Sequence, residues 1–153
     1  MKKKILFLCT GNTCRSAMAA YLGAAMAEKQ YGDIGFRFDS AGLMAADGSR
    51  ASQEAADVLG AMGLDMSGHR SKAFRREMGD KADLLVVMTA SHKRFLLEQW
   101  PELADRTFTL GELSGSLRDV PDPYCGSFDL YQKTRDMLVE DIGAMLERLS
   151  SES

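Results

Sequence analysis

The feature that most constrains this chain is the run Lys4 to Cys9 (KILFLC), five of whose six residues are consecutive apolar side chains. A half-exposed strand would alternate apolar and polar residues, so an unbroken run predicts a strand buried on both faces. Such a strand needs neighbours in its sheet and a layer above and below. Ala82 to Met88 (ADLLVVM) has the same character, and Phe36 to Ala41, ending at Gly42, and Thr107 to Leu110 are shorter candidates. Helical spacing lies between them. It runs from Arg15 to Gln30 through Met18, Leu22, Ala25 and Met26, and from Ser49 to Met62 with Ser49 or Ser52 as cap and Gly63 as stop. A short helix is expected from Ser71 to Met78, another from Ser91 until Pro101 ends it, and a last one from Phe128 to Leu149. Strands alternating with helices predict an α/β fold. The expected form is a doubly wound four-stranded parallel sheet in the order 2-1-3-4, flanked by helices. One domain over residues 1–150 and a disordered tail over 151–153 complete the expectation, with Ser150 already at its edge.

Composition closes several function classes. With 153 residues, 45% apolar and 27% charged, the chain can build one core under a solvated surface. A net charge of −3 supplies no basic field for nucleic acid or an anionic membrane. Lys2, Lys3 and Lys4 precede the first apolar run as in a signal peptide, yet that run is too short and no cleavage pattern follows. No stretch has the length of a transmembrane helix. Three cysteines cannot all pair within one chain, which fits a reducing cytoplasm better than a secreted disulfide scaffold.

In open parallel sheets, ligands bind beyond the carboxyl ends of the strands. The first strand ends at Cys9, and the loop that follows reads Cys9-Thr10-Gly11-Asn12-Thr13-Cys14-Arg15-Ser16 before a helix. Successive backbone N–H groups there can close around an anion, aided by the positive end of the helix. Gly11 is expected to supply the unusual backbone angles of such a cradle. Arg15 can clamp two phosphate oxygens with its planar fork. Cys9 would lie at the base, ionised by the same fields, with the Ser16 hydroxyl donating to its sulfur.

These residues carry a resemblance. CTGNTCRS at the end of the first strand, together with Ser40-Ala41-Gly42, Gly68-His69-Arg70 and Asp122-Pro123-Tyr124, resembles the low-molecular-weight protein tyrosine phosphatase family over essentially the whole chain. The resemblance implies that Cys9 is the nucleophile, Arg15 the phosphate clamp and Asp122 the general acid. It implies a phosphocysteine intermediate and no metal or organic cofactor. It also implies that Asn12, Ser16, Ser40 and His69 hold the loop in shape. Thr10, Gly11, Thr13, Cys14 and Tyr124 complete the expected phosphate and substrate contacts. Phosphorylated proteins are the expected substrates, inorganic phosphate or a similar oxyanion a ligand, and a monomer suits the size. Within the family, Thr13 stands where tyrosine-specific members carry a bulky aliphatic residue. Thr13 and the stretch Met88-Thr-Ala-Ser-His-Lys93 are similar to bacterial protein-arginine phosphatases.

Other residues have competing readings. Asp122 sits between Pro121 and Pro123, which stiffen the loop for an acid that must meet a leaving group, although Asp beside Pro is commonly just a turn. Tyr124 is a slot wall or a half-exposed loop aromatic, and Tyr131 is packing or function. Cys14 is a small buried residue or a redox partner that shields Cys9. Cys125 reads as an exposed loop thiol. His69 and His92 are too isolated to suggest zinc; His69 is expected near the cradle and His92 on a helix surface. Arg70, Lys72, Arg75 and Arg76 read as a solvated face.

Two other chemistries use similar parts. A thioredoxin-coupled arsenate reductase needs two further cysteines near the third strand, and Ala82 to Arg94 contains none. A phosphocysteine sugar-transport carrier needs neither Arg15 nor Asp122. A non-catalytic phosphate-binding module would leave Asp122 without a task.

Overall fold

The structure is a computed structural model and describes residues 3–32, 35–124 and 126–152. Cys125 and Lys2, both weighed above, lie outside the described residues.

Four strands form one parallel sheet: β1 (Lys3–Cys9), β2 (Phe36–Gly42), β3 (Leu84–Val87) and β4 (Thr107–Thr109), in the order β2-β1-β3-β4. This is the expected order. The central position of β1 explains its composition. Ile5, Phe7 and Cys9 face one apolar cluster, and Leu6 and Leu8 face the other. Ile5, Phe7 and Leu8 are fully buried, each worth about 1.5–3 kcal/mol of transfer free energy.

The first cluster is covered by α1 (Arg15–Tyr31), α2 (Gln53–Gly60) and α6 (Phe128–Ser151), which supply Met18, Leu22, Val58, Leu138, Ile142 and Met145. The second is covered by α3 (Arg76–Lys81), α4 (Ala90–Gln99) and a 3₁₀ helix over Pro101–Arg106. A five-residue helix not foreseen, α5 (Leu110–Ser114), follows β4 directly, with Thr109 and Glu112 forming a reciprocal cap.

Several boundaries differ from expectation. The helix placed at Ser71 to Met78 is α3, shifted to Arg76–Lys81, because the segment before it is used otherwise. Lys72 accepts from the Gly42 amide, and the Phe74 amide donates to the Gly42 carbonyl, extending the edge of β2. Likewise α2 starts at Gln53, since Ser49 and Ser71 are bonded to each other and Ser52 caps the helix. Pro101 ends α4 and also opens the 3₁₀ helix, as proline at a first helical position does. At the far end, Ser150 and Ser151 continue α6 instead of beginning an irregular tail.

Candidate active site

Every residue of the Cys9 loop is placed by an element that the core fixes. Cys9 is the last residue of β1 and Cys14 is the N-cap of α1, so the chain must turn within four residues. Cys14 provides no side-chain cap, which leaves the first amides of α1 directed at the loop. One of them, the Ser16 N–H, donates to Cys9 Sγ at 3.4 Å.

The unusual backbone angle falls on Asn12 and not on Gly11, correcting the expectation. Asn12 has φ of 59° and is fully buried. Asparagine tolerates this left-handed conformation because its short amide can bond locally. Here Asn12 Nδ2 donates to Ser16 Oγ at 2.9 Å, Oδ1 accepts the Lys72 amide at 3.1 Å, and the carbonyl accepts from His69 Nε2 at 2.7 Å. Ser16 Oγ in turn stands 2.8 Å from Cys9 Sγ.

The end of β2 presses on the loop from outside. Leu43 and Met44 amides donate to the Cys9 and Thr10 carbonyls. A Cβ at Gly42 would stand 2.6 Å from the Thr10 carbonyl oxygen, so a side chain there would push the two segments apart. Ser40, expected to support the loop, is buried in β2 opposite Phe7, one residue before Ala41, whose carbonyl lies 3.4 Å from Ser16 Oγ. Among the described residues no hydrogen bond joins its side chain to the loop.

Arg15 is 5% exposed, although it begins a helix. Its Nη1 donates to the Val120 carbonyl at 3.0 Å, which ties the first turn of α1 to the Pro121–Tyr124 loop. Its Nη2 lies 3.7 Å from Asp122 Oδ2. The other Asp122 oxygen accepts the Tyr124 amide at 3.0 Å, so the carboxylate is oriented while remaining half exposed. Tyr124 itself is 71% exposed.

Thr13 is half buried, and its carbonyl accepts the Ser52 amide. Among the described residues its hydroxyl has one weak contact, with Cys14 Sγ at 3.8 Å. Cys14 is buried between Ser52 Oγ at 3.4 Å and the Tyr131 hydroxyl at 3.3 Å. Burial and the Cys14 contact push the Tyr131 hydroxyl pKa well up from its usual value. Tyr131 is thus a packing residue that also contacts the loop through Cys14. Cys9 and Cys14 are both free thiols.

Two residues of the site escaped the sequence reading. Lys72 is no bystander on a solvated face: its amide holds Asn12, and its ammonium pairs with Asp39 at 2.7 Å. Arg70 donates to the Ser67 and His69 carbonyls, Arg75 pairs with Asp47, and Arg76 pairs with Asp80 and Glu102. His92, expected on the helix surface, is 9% exposed. Its Nε2 lies 2.9 Å from Thr10 Oγ1 and its Nδ1 2.9 Å from Thr89 Oγ1. Burial, then the Arg15 charge, lowers its pKa to about 4 against the opposing pull of Asp119 and Asp122. A β-strand end followed by Thr-x-x-His in a helix cap was the available signal.

The arrangement places a thiol and its hydrogen-bond donors in one loop, and at the end of that loop a guanidinium paired with a carboxylate. Comparison with known proteins agrees. The pattern of the low molecular weight phosphotyrosine protein phosphatase family matches residues 4–153. The chain is 42% identical to a protein-arginine-phosphatase of Geobacillus stearothermophilus, covering 99% of each chain. Among solved structures it resembles a YwlE arginine phosphatase mutant with a phosphorylated active-site serine. That match has a TM-score of 0.91 at 36% identity, covering 96% of this chain and 95% of the other. It also resembles the tyrosine phosphatase Wzb of Escherichia coli K30 in complex with sulphate, with a TM-score of 0.86 at 30% identity, covering 97% and 99%. The chain belongs to the low molecular weight phosphotyrosine protein phosphatase family.

Proposed function

We propose that this chain is a cytoplasmic phosphoprotein phosphatase that uses Cys9 as nucleophile and acts on phosphoarginine. The observation that carries the reading is that one loop holds Cys9 Sγ, bonded by the Ser16 hydroxyl and amide, and Arg15, whose guanidinium lies 3.7 Å from Asp122.

In this scheme the phosphoryl group seats on the amides of Thr10 to Arg15, with the Arg15 guanidinium holding two equatorial oxygens. Cys9 Sγ attacks phosphorus in line, the bond to the leaving atom breaks, and Asp122 protonates that atom. Water, deprotonated by Asp122, then displaces the sulfur and yields inorganic phosphate. The Ser16 donors stabilise the negative charge on sulfur when it leaves. The sulphate complex and the phosphorylated serine of the similar proteins support an oxyanion seat and a phosphoenzyme.

Similarity to arginine phosphatases and the weakly engaged Thr13 hydroxyl support the substrate assignment. A guanidinium gains from an oxygen that accepts its N–H, whereas a phenyl ring gains from an aliphatic wall. The runner-up is phosphotyrosine, favoured by the similarity to Wzb; the exposed Tyr124 ring could stack on either group and does not discriminate. A side-by-side assay of phosphoarginine and phosphotyrosine peptides tests the choice. Wild type is expected to have the higher kcat/KM on phosphoarginine, and Thr13→Ile to shift the ratio toward phosphotyrosine. A wild type that prefers phosphotyrosine, with no change in Thr13→Ile, would overturn the arginine assignment.

A further inference from the structure

His92 reaches the Cys9 loop from the β3 side of the sheet, through a chain of hydroxyl, imidazole and hydroxyl: Thr89, His92, Thr10. Thr89 caps α4, and its Oγ1 already accepts the His92 backbone amide at 3.1 Å. The Thr89 hydroxyl proton is then free to be donated, and His92 Nδ1 stands 2.9 Å away. If Nδ1 accepts, the imidazole proton resides on Nε2 and is donated to Thr10 Oγ1. Thr10 keeps its own proton, with no further acceptor supplied by the protein among the described residues.

We propose that His92 is a positioning residue: its Nε2–H, donated to Thr10 Oγ1, turns the Thr10 hydroxyl proton outward as a hydrogen-bond donor to the phosphorylated side chain bound over Cys9. The proposal rests on the reading of the Cys9 loop as a phosphate cradle.

Two observations support it. Thr10 directly follows Cys9 and is exposed, while its carbonyl is already fixed by the Met44 amide. The hydroxyl rotor is therefore what remains to be set. The ring is held neutral by burial and by Arg15 from α1, with Asp119 and Asp122 acting in the opposite sense from the loop after α5. A neutral ring has one donor and one acceptor, so the chain runs one way or the other, and the Thr89 oxygen, which already accepts the His92 amide, favours donation from Thr89 to Nδ1. A protonated ring would donate at both ends and add a second cation beside Arg15.

The direct test is long-range proton–nitrogen NMR on the full chain at neutral pH, with and without inorganic phosphate. Nε2 protonated and Nδ1 bare is expected; the opposite tautomer overturns the proposal. The kinetic arm uses the phosphopeptide that wild type prefers. His92→Phe and Thr10→Val are each expected to lower kcat/KM by about tenfold, the scale of one well-placed hydrogen bond. The double variant should be no slower than either single one, because both remove the same donor. His92→Gln, whose amide nitrogen can replace Nε2–H, should recover most of the loss. Additive losses, or full activity in His92→Phe, would overturn the proposal. If wild type hydrolyses neither peptide, the phosphatase reading fails, and the NMR result still decides the tautomer.

Discussion

Ser16 Oγ lies 2.8 Å from Cys9 Sγ while accepting the Asn12 side-chain amide at 2.9 Å. Because Asn12 supplies a proton to that oxygen, the Ser16 hydroxyl turns its own toward the sulfur, in preference to the Ala41 carbonyl at 3.4 Å. The donor acts where the sulfur is charged, before attack and on departure. Ser16→Ala is therefore expected to lower kcat by about 10- to 100-fold through slower breakdown of the phosphoenzyme, with little change in substrate binding. Rapid-quench kinetics would show a larger burst of leaving group before a slower steady state. An unchanged kcat would remove Ser16 from the chemistry.

Asn12 joins backbone conformation to the same network. Asn12→Ala loses the buried bonds to Ser16 and to the Lys72 amide, and also places an alanine at φ of 59°. The left-handed angle costs roughly 1–2 kcal/mol, and the unmet partners cost about as much again. Asn12→Gly loses the bonds without the strain. Urea unfolding should rank wild type above Asn12→Gly and Asn12→Gly above Asn12→Ala; equal midpoints for the two variants would show that strain is not stored there.

The parts of this site that are contiguous in the chain were legible in it. Cys9, Arg15 and Ser16 share one loop, and an unbroken apolar run marks the strand before it. Asp122 was readable through its flanking prolines and family likeness. His92 was not, because its partner Thr10 is 82 residues distant and a local helical pattern cannot show which face meets another strand's loop. Gly11 was credited with an angle that Asn12 adopts, since both residue types tolerate it and only the hydrogen bonds to Ser16 and Lys72 decide between them. The helix expected from Ser71 lost its first turn to pairing with Gly42, a tertiary demand that local propensity cannot register.

Stability should fall on mild acidification. The His92 pKa is about 4 in the folded chain, against 6.5 for a free side chain. Between those values the unfolded chain binds more protons, so stability rises with pH there, is complete above 6.5 and is lost as pH falls toward 4. The effect is about 1–3 kcal/mol. Denaturant midpoints at pH 4.5 and 7 should differ less in His92→Gln than in wild type, and an identical slope in both would assign the acid sensitivity elsewhere.

Oxidation tests the place of Cys14. Peroxide converts the Cys9 thiolate to a sulfenic acid with release of water or hydroxide, and attack by Cys14 sulfur then expels water and leaves a disulfide. To take part, Cys14 must give up its contacts with Tyr131 and Ser52. Peptide mapping after mild peroxide is expected to show a Cys9–Cys14 disulfide that thiols reverse. Over-oxidised Cys9 alone would show that Cys14 is only a packing residue.

Asp122 is the residue whose role depends most on what leaves. Its Oδ1 is fixed by the Tyr124 amide, so Oδ2, facing Arg15, is the oxygen left to exchange a proton with the departing atom. A guanidine nitrogen and a phenolate both need that proton, because their conjugate acids are weak, that of phenolate with a pKa near about 10 and that of guanidine weaker still. An activated aryl phosphate, whose phenolate is stable, does not. Asp122→Asn preserves the bond to the Tyr124 amide and removes only the acid and its charge. On phosphopeptides kcat should fall by about 10²–10⁴, as for loss of a general acid, and on an activated aryl phosphate by much less. Inorganic phosphate should bind equally well or better, since a carboxylate near the anion is gone. Equal losses on both substrate classes, with weakened phosphate binding, would mean that Asp122 holds Arg15 in place and transfers no proton.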